Sequence, residues 1–287
     1  MMPDPPYRLA APPSLASRIV FSSPHSGRAY PQSLIARSRL DLAGLRASED
    51  VFVDELFDAA PEHGAPLLCA LAPRAWVDLN RDPMELDPVL IEGVRAAPMN
   101  QRVAAGLGVV PRVVSEGREI YEGRIPIEEA EARIASVHAP YHAMLETLLR
   151  EARARFGSAV LYDCHSMPPE ALRAAPRVRG RLPEIVLGDR FGASAGRGTI
   201  ARTQEAFERA GFTVARNAPF AGGYITQRYG RPTESVHAVQ IEINRALYLD
   251  ARTFRPGPDF ELIRRLIGTV VADLVSGARN LTGMAAE

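Results

Sequence analysis

The stretch Gly157-Ser-Ala-Val-Leu-Tyr-Asp-Cys-His-Ser166 constrains the fold of this chain more than any other. A long helical pattern stops at Gly157, the run Ala159 to Tyr162 is apolar, and Asp163, Cys164, His165 and Ser166 follow at once. Apolar residues that break into polar ones read as a buried strand presenting side chains at its C-terminal edge, where open α/β sheets place their ligands. His165 is therefore a candidate metal ligand or base. A lone histidine there would equally suit a buried ring bonded to a backbone carbonyl. This histidine is not alone.

Arg18 to His25 is a second apolar run that breaks into a turn at Pro24-His-Ser-Gly27, as a strand ending in a polar loop would. Ser48-Glu-Asp50 reads as a helix start, with Ser48 as N-cap and the acids in the first turn. Ala65 to Ala72 and Ala75 to Leu79 predict two more strands. From Asp82 to Gly123 periodicity is lost, a length that suggests a functional loop or lid. Pro126 then opens the clearest helix, Ile127 to Phe156, with a kink expected at His138-Ala-Pro-Tyr-His142. Further on, Glu184 to Leu187, Phe212 to Ala215 and Val236 to Asn244 predict strands, and Ala195 to Ala210 and Phe260 to Ala278 predict helices. Gly222 to Gly230 reads as a loop or hairpin. Strands alternating with helices predict an α/β fold with a mixed, mostly parallel sheet. A Pro-rich tail over residues 1–16 and a single domain over 17–287 are expected, with the irregular region at 82–123.

The formal net charge of +0 argues against a nucleic-acid partner. No apolar segment suits a signal peptide or a membrane span, so a cytoplasmic enzyme acting on a small molecule is expected. Nothing in the sequence sets an oligomeric state. The two cysteines, Cys69 and Cys164, lie in apolar runs and read as reduced, buried thiols.

His25 and His165 both fall at strand ends, with Glu49, Asp50 and Asp54 between them in the sequence. Two imidazoles and a carboxylate are a common ligand set for a catalytic zinc, with the fourth position left to water. Asp50 is favoured as the carboxylate, although any of the three acids could simply complement the helix dipole. Cys164 as a nucleophile paired with His165 is disfavoured, because successive strand residues point to opposite faces. Glu242 stands in the apolar strand Val239-Gln-Ile-Glu-Ile-Asn-Arg245, either as a general base or as the partner of an arginine such as Arg245. Arg74 could polarise a carbonyl, and Asn80 with Arg81 could hold a carboxylate.

The segments Ser23-Pro-His-Ser-Gly27, Ala75-Trp-Val-Asp-Leu-Asn-Arg81, Asp163-Cys-His-Ser166, Gly222-Gly-Tyr-Ile-Thr226 and Val236-His-Ala-Val-Gln-Ile-Glu242 together resemble the N-formylglutamate amidohydrolase family. The resemblance runs from about Phe21 to Asp250. It implies a three-layer fold with helices on both sheet faces, similar to zinc carboxypeptidases and aspartoacylase. It also implies hydrolysis of N-formyl-L-glutamate to formate and L-glutamate, a late step of histidine breakdown. Carried over by position, it implies one Zn²⁺ held by His25, Asp50 and His165, with Glu242 as general base. Arg74 matches the carbonyl-polarising arginine, and Asn80 with Arg81 the pair that holds the α-carboxylate. Tyr224 and Arg228 are candidates for the side-chain carboxylate. One departure concerns the first metal motif: carboxypeptidases have His-x-x-Glu, whereas Arg28 stands three residues after His25. The rival readings are a hydrolase of another N-acyl amino acid or short peptide, a non-catalytic ligand-binding relative, and a cysteine hydrolase.

Overall fold

The computed structural model describes residues 2–95, 100–173 and 175–283, with side chains to residue 278. Its sheet has seven strands in the order β1-β3-β2-β4-β7-β5-β6, with β1 at Tyr7–Ala10, β2 at Ile19–Ser23, β3 at Leu67–Ala70, β4 at Ala159–Met167, β5 at Ile185–Gly188, β6 at Val214–Arg216 and β7 at Val236–Asn244. The pairs β2–β4, β4–β7 and β5–β6 are parallel, and β5 runs antiparallel to β7. This is the mixed, mostly parallel α/β sheet expected from the alternation of strands and helices. The stretch read as an N-terminal tail contributes strand β1.

β4 and β7 form the spine. They pair over nine residues each, from Ala159↔Val236 to Met167↔Asn244, and every residue of β4 is buried. The strand therefore does not stop at Tyr162: Asp163, Cys164, His165 and Ser166 lie within it, because β7 supplies partners up to Asn244. Polar side chains enter the core at that end of the sheet, and each needs a partner there.

Two compact units can be distinguished. One comprises Met1–Arg8, Pro24–Glu49 and Cys69–Met144, the other Leu9–Ser23, Asp50–Leu68 and Leu145–Glu287. The second unit contains the five strands β2, β4, β7, β5 and β6, and its core includes Phe21 between Phe57 and Tyr162, with ring centroids 5.7 and 5.4 Å away. The helices Arg197–Arg209 and Phe260–Gly283 pack on each other there. The first unit holds the irregular region 82–123. Its turns are fixed by a buried pair, Arg112 Nε to Asp87 Oδ2 at 2.9 Å, and by Val109 donating to Glu85 at 2.9 Å. Arg133 lies 3.5 Å over the Trp76 ring in the same unit.

Three local expectations are corrected, and a fourth holds. Ala75 to Leu79 is a turn, since the N–H groups of Trp76 and Val77 both return to the Pro73 carbonyl and Asp78 Oδ1 accepts from the Asn80 N–H. Short-range bonds of that kind compete with strand pairing. No helix starts at Ser48. Asp41 caps the helix Leu42–Arg46 instead, Ser48 bonds back to Leu45, and the next helix is Val53–Leu56. Gly222 to Gly230 is a helix over Tyr224–Tyr229, entered through Gly222 at φ +121° with Thr226 Oγ1 bonded to Gly223. A Cβ on Gly222 would meet that Oγ1 at 2.5 Å. The long helix does break at its His-Ala-Pro-Tyr-His segment, through a π turn over Ile134–His138 between Ile127–Arg133 and Ala139–Phe156. Pro140 has no N–H to continue the α pattern, and Ala139 bonds back five residues to Ile134.

Candidate active site

In the second unit the site is built on β4 and β7. Residues two apart on a strand share a face, so Asp163 stands beside His165. His165 Nε2 lies 2.9 Å from Asp163 Oδ2, and its Nδ1 lies 3.0 Å from Asp50 Oδ2. The other Asp50 oxygen is already engaged: Oδ1 accepts from Arg245 Nη2 at 2.8 Å and from Ser166 Oγ at 3.1 Å. Arg245 Nε also donates to Ser166 Oγ at 2.9 Å. Asp50 is thus oriented with Oδ2 toward His165. The turn that follows Asp50 contains Phe52 in the left-handed region at φ +62°, a conformation costing on the order of 1–2 kcal/mol for such a side chain. Its ring is anchored against Phe260, with centroids 5.5 Å apart. Burial alone would lower the pKa of His165, but Asp163 above all, then Asp50 and Glu242, hold it well above the usual imidazole value.

Glu242 is the direct register partner of His165, so the two side chains emerge on the same face of adjacent strands. The carboxylate is buried, and Oε1 accepts from Gln240 Nε2 at 2.8 Å. Gln240 Oε1 in turn accepts from the Gly223 N–H at 2.8 Å, which ties Glu242 to the start of the helix Tyr224–Tyr229. Arg245, the alternative ion-pair partner for Glu242, gives Nη2 to Asp50 and Nε to Ser166. Tyr224 and Arg228 touch each other at 3.3 Å; Arg228 is exposed, lies over the Tyr229 ring and is 3.8 Å from Glu146.

In the first unit a single buried carboxylate, Asp78, gathers the other candidates. Its Oδ1 lies 2.7 Å from His25 Nε2 and accepts from the Asn80 N–H at 2.9 Å. Its Oδ2 accepts from Arg74 Nε at 3.0 Å and lies 3.7 Å from Arg81 Nε. Burial would raise the Asp78 pKa, but Arg74, His25 and Arg81 depress it well below the usual carboxylate value. Arg81 is itself buried, and its Nε has no hydrogen-bond partner among the described residues. The backbone that carries Asn80 and Arg81 is held from the π turn. His142 Nε2 meets the Leu79 carbonyl and His138 Nε2 the Arg81 carbonyl, each at 2.9 Å. Gly27 follows His25 closely and admits no side chain, because a Cβ would stand 2.0 Å from the Ala72 carbonyl oxygen. Glu49 is engaged elsewhere, with Arg46 at 2.9 Å and Tyr30 at 3.2 Å.

Each unit offers buried side chains of the kind that ligate a metal ion, His25 in the first and Asp50 with His165 in the second. The donor chemistry fits such an ion. Both imidazoles are gripped at Nε2 by a carboxylate, Asp78 for one and Asp163 for the other, and such outer carboxylates orient metal-binding histidines. His165 Nδ1 and Asp50 Oδ2, which lie 3.0 Å apart, are donor atoms of the kind such an ion takes. Asp78, Asp163, His138, His142 and Gln240 have no role assigned from sequence. The signal for Asp163 was available in its two-residue spacing from His165. For Asp78 it lay in the Arg74, Asp78, Arg81 spacing.

Residues 17–249 match the N-formylglutamate amidohydrolase family. The chain belongs to that family. It is 33% identical over 235 residues to an N-formylglutamate deformylase of Pseudomonas aeruginosa, covering 81% of this chain and 82% of the relative. A deformylase of the same name from Pseudomonas putida is 30% identical over the same shares. Among solved structures, an N-formylglutamate amidohydrolase from Ralstonia eutropha is similar with a TM-score of 0.89 and 32% identity, covering 96% of this chain and 99% of the other. By these names the family is one of amide hydrolases. Among the described residues no helix is long and apolar enough to cross a membrane.

Proposed function

We propose that this chain hydrolyses N-formyl-L-glutamate to formate and L-glutamate, with a zinc ion held by His25, Asp50 and His165. The observation that carries the reading is the donor set itself, two imidazoles each anchored through Nε2 and a carboxylate with one oxygen already committed. When bound, such an ion polarises the formyl carbonyl and lowers the pKa of a water toward ~7. Glu242 takes the proton from the attacking water and returns it to the leaving nitrogen, while the Arg74 guanidinium stabilises negative charge on the carbonyl oxygen. Asn80 and Arg81 hold the α-carboxylate. A buried guanidinium whose Nε lacks a partner among the described residues has donors to spare for an anion. Tyr224 and Arg228 are assigned to the side-chain carboxylate. The place of the reaction in histidine breakdown, in the cytoplasm, belongs to the same proposal.

The test is elemental analysis together with a panel of N-acyl amino acids. Wild type is expected to carry one zinc per chain and to prefer N-formyl-L-glutamate, and His165→Ala to lose the metal. Full occupancy in His165→Ala removes it from the ligand set, and a clear preference for another N-acyl amino acid replaces the substrate while keeping the machinery.

Arg81 allows a sharper test. Arg81→Lys keeps the charge and loses the planar fork, so it should cost one charge-assisted contact, ~1.5–3 kcal/mol or about 10- to 100-fold in kcat/KM. The loss should shrink sharply on a substrate whose α-carboxylate is an amide. Equal loss on acid and amide would mean that Arg81 does not read the carboxylate.

A further inference from the structure

At the opposite end of β4 from His165 lies a cavity of about 190 Å³, lined among others by Arg18, Ile19, Val160, Thr199 and Arg202. Val160 and His165 are five residues apart on the same strand, so about 16 Å separates the cavity from the catalytic end. Arg18 stands just before β2. Its Nη1 donates to Ser158 Oγ at 3.0 Å, but its Nε is buried with no hydrogen-bond partner. Arg202 comes from the helix Arg197–Arg209, and among the described residues no carboxylate forms an ion pair with it or with Arg18. The acids that line the cavity are already used, since Asp273 accepts from Arg209 Nη2 at 2.6 Å and Glu205 lies 3.8 Å from Arg209 Nη1.

Arg18, Arg202 and Arg209 line the space with Glu205 and Asp273, so positive charge exceeds negative by one, and burial adds to the cost on Arg18. Its pKa is lowered by burial first and by Arg202 second. The neighbouring His237 is lowered by burial and then by the same two arginines. We propose that this cavity is a binding site for a phosphate dianion, either free or carried by a small phosphorylated molecule. The surplus of positive charge favours an anion, phosphate oxygens suit guanidinium forks, and Arg18 Nε is a donor still to be filled. Nothing in the amide hydrolysis uses this site.

Isothermal titration of inorganic phosphate and of glycerol phosphate into the full chain, at fixed ionic strength, tests the proposal. Wild type is expected to bind at least one of them at a single site, and the tighter of the two identifies the source. Arg202→Gln, on an exposed helix position where the fold tolerates change, should weaken binding about tenfold or more while turnover stays as in wild type. Arg18→Gln should do the same. Phosphate affinity unchanged in Arg202→Gln would place the ion elsewhere, at the metal site for example, and overturn the proposal. Succinate binding more tightly than either phosphate, or no binding of any of them, would overturn it as well.

Discussion

Glu242→Gln is expected to fold, to bind metal and substrate as wild type does, and to turn over at least ~10²-fold more slowly. The substitution changes almost nothing except basicity. The Gln side chain has the same volume, and its amide oxygen can accept the bond that Gln240 now gives Glu242 Oε1 at 2.8 Å. What it cannot do is accept a proton from water. The carboxylate suits that task because β7 holds it beside His165 in direct register, and because Gln240 and the Gly223 N–H fix it from the other side. General-base contributions of ~10²–10⁴ set the size of the loss. It should appear in kcat, with KM for the formylated substrate little changed. A wild-type kcat in a metal-loaded Glu242→Gln enzyme would reassign the residue to a purely structural bond with Gln240.

The same pairing shows what the sequence could and could not reveal. β7 was legible to the residue, since Val239 to Asn244 alternates apolar with polar residues and Pro232-Thr-Glu-Ser235 precedes the run. β4 was legible only as far as Tyr162, because its polar end is stabilised by partners far away in sequence: Asp50 lies 115 residues from His165. Local propensity holds no information on such bonds. The same reason explains the turn at Ala75 to Leu79. Its β-compatible composition predicts a strand, yet Pro73 and the Asp78 side chain close local hydrogen bonds first. The metal-ligand candidates rest on residue type and on polar residues that follow apolar runs. Their supports were not legible in that way. Arg245 stands three residues after Glu242 in sequence, and its guanidinium also reaches Asp50, 195 residues away. Asp78 stands inside the segment Ala75 to Arg81, and its contacts to His25, Arg74, Asn80 and Arg81 are set by the fold.

Asp78→Asn is therefore expected to lower kcat/KM by about 10³, more than its distance from the chemistry would suggest. The carboxylate does two things at once. Through Oδ1 it fixes the ring of His25, and loss of such an outer partner typically costs ~10–100-fold in metal affinity or activity. Through Oδ2 it is the counter-charge for Arg74 at 3.0 Å and for buried Arg81 at 3.7 Å. An asparagine can keep a carbonyl oxygen toward His25 and the Asn80 N–H, but its NH₂ then points at the Arg74 guanidinium, donor against donor. Both arginines lose their negative partner, so they should shift from the positions proposed for the carbonyl and the carboxylate, each worth about tenfold or more. Removing one member of a buried ion pair also destabilises, by ~3–5 kcal/mol at full burial and less here because Arg74 is 26% exposed. Lost stability alone could mimic lost function, and Asp87→Asn separates the two. Asp87 forms an equally buried pair with Arg112, at 2.9 Å, without touching His25, Arg74 or Arg81. Its variant should show a comparable drop in the denaturation midpoint with kcat/KM nearly intact and metal affinity unchanged, whereas Asp78→Asn should lose both. If the two variants lose activity in the same proportion to their stability, Asp78 only holds the fold, and the organisation of His25, Arg74 and Arg81 around it plays no part in turnover.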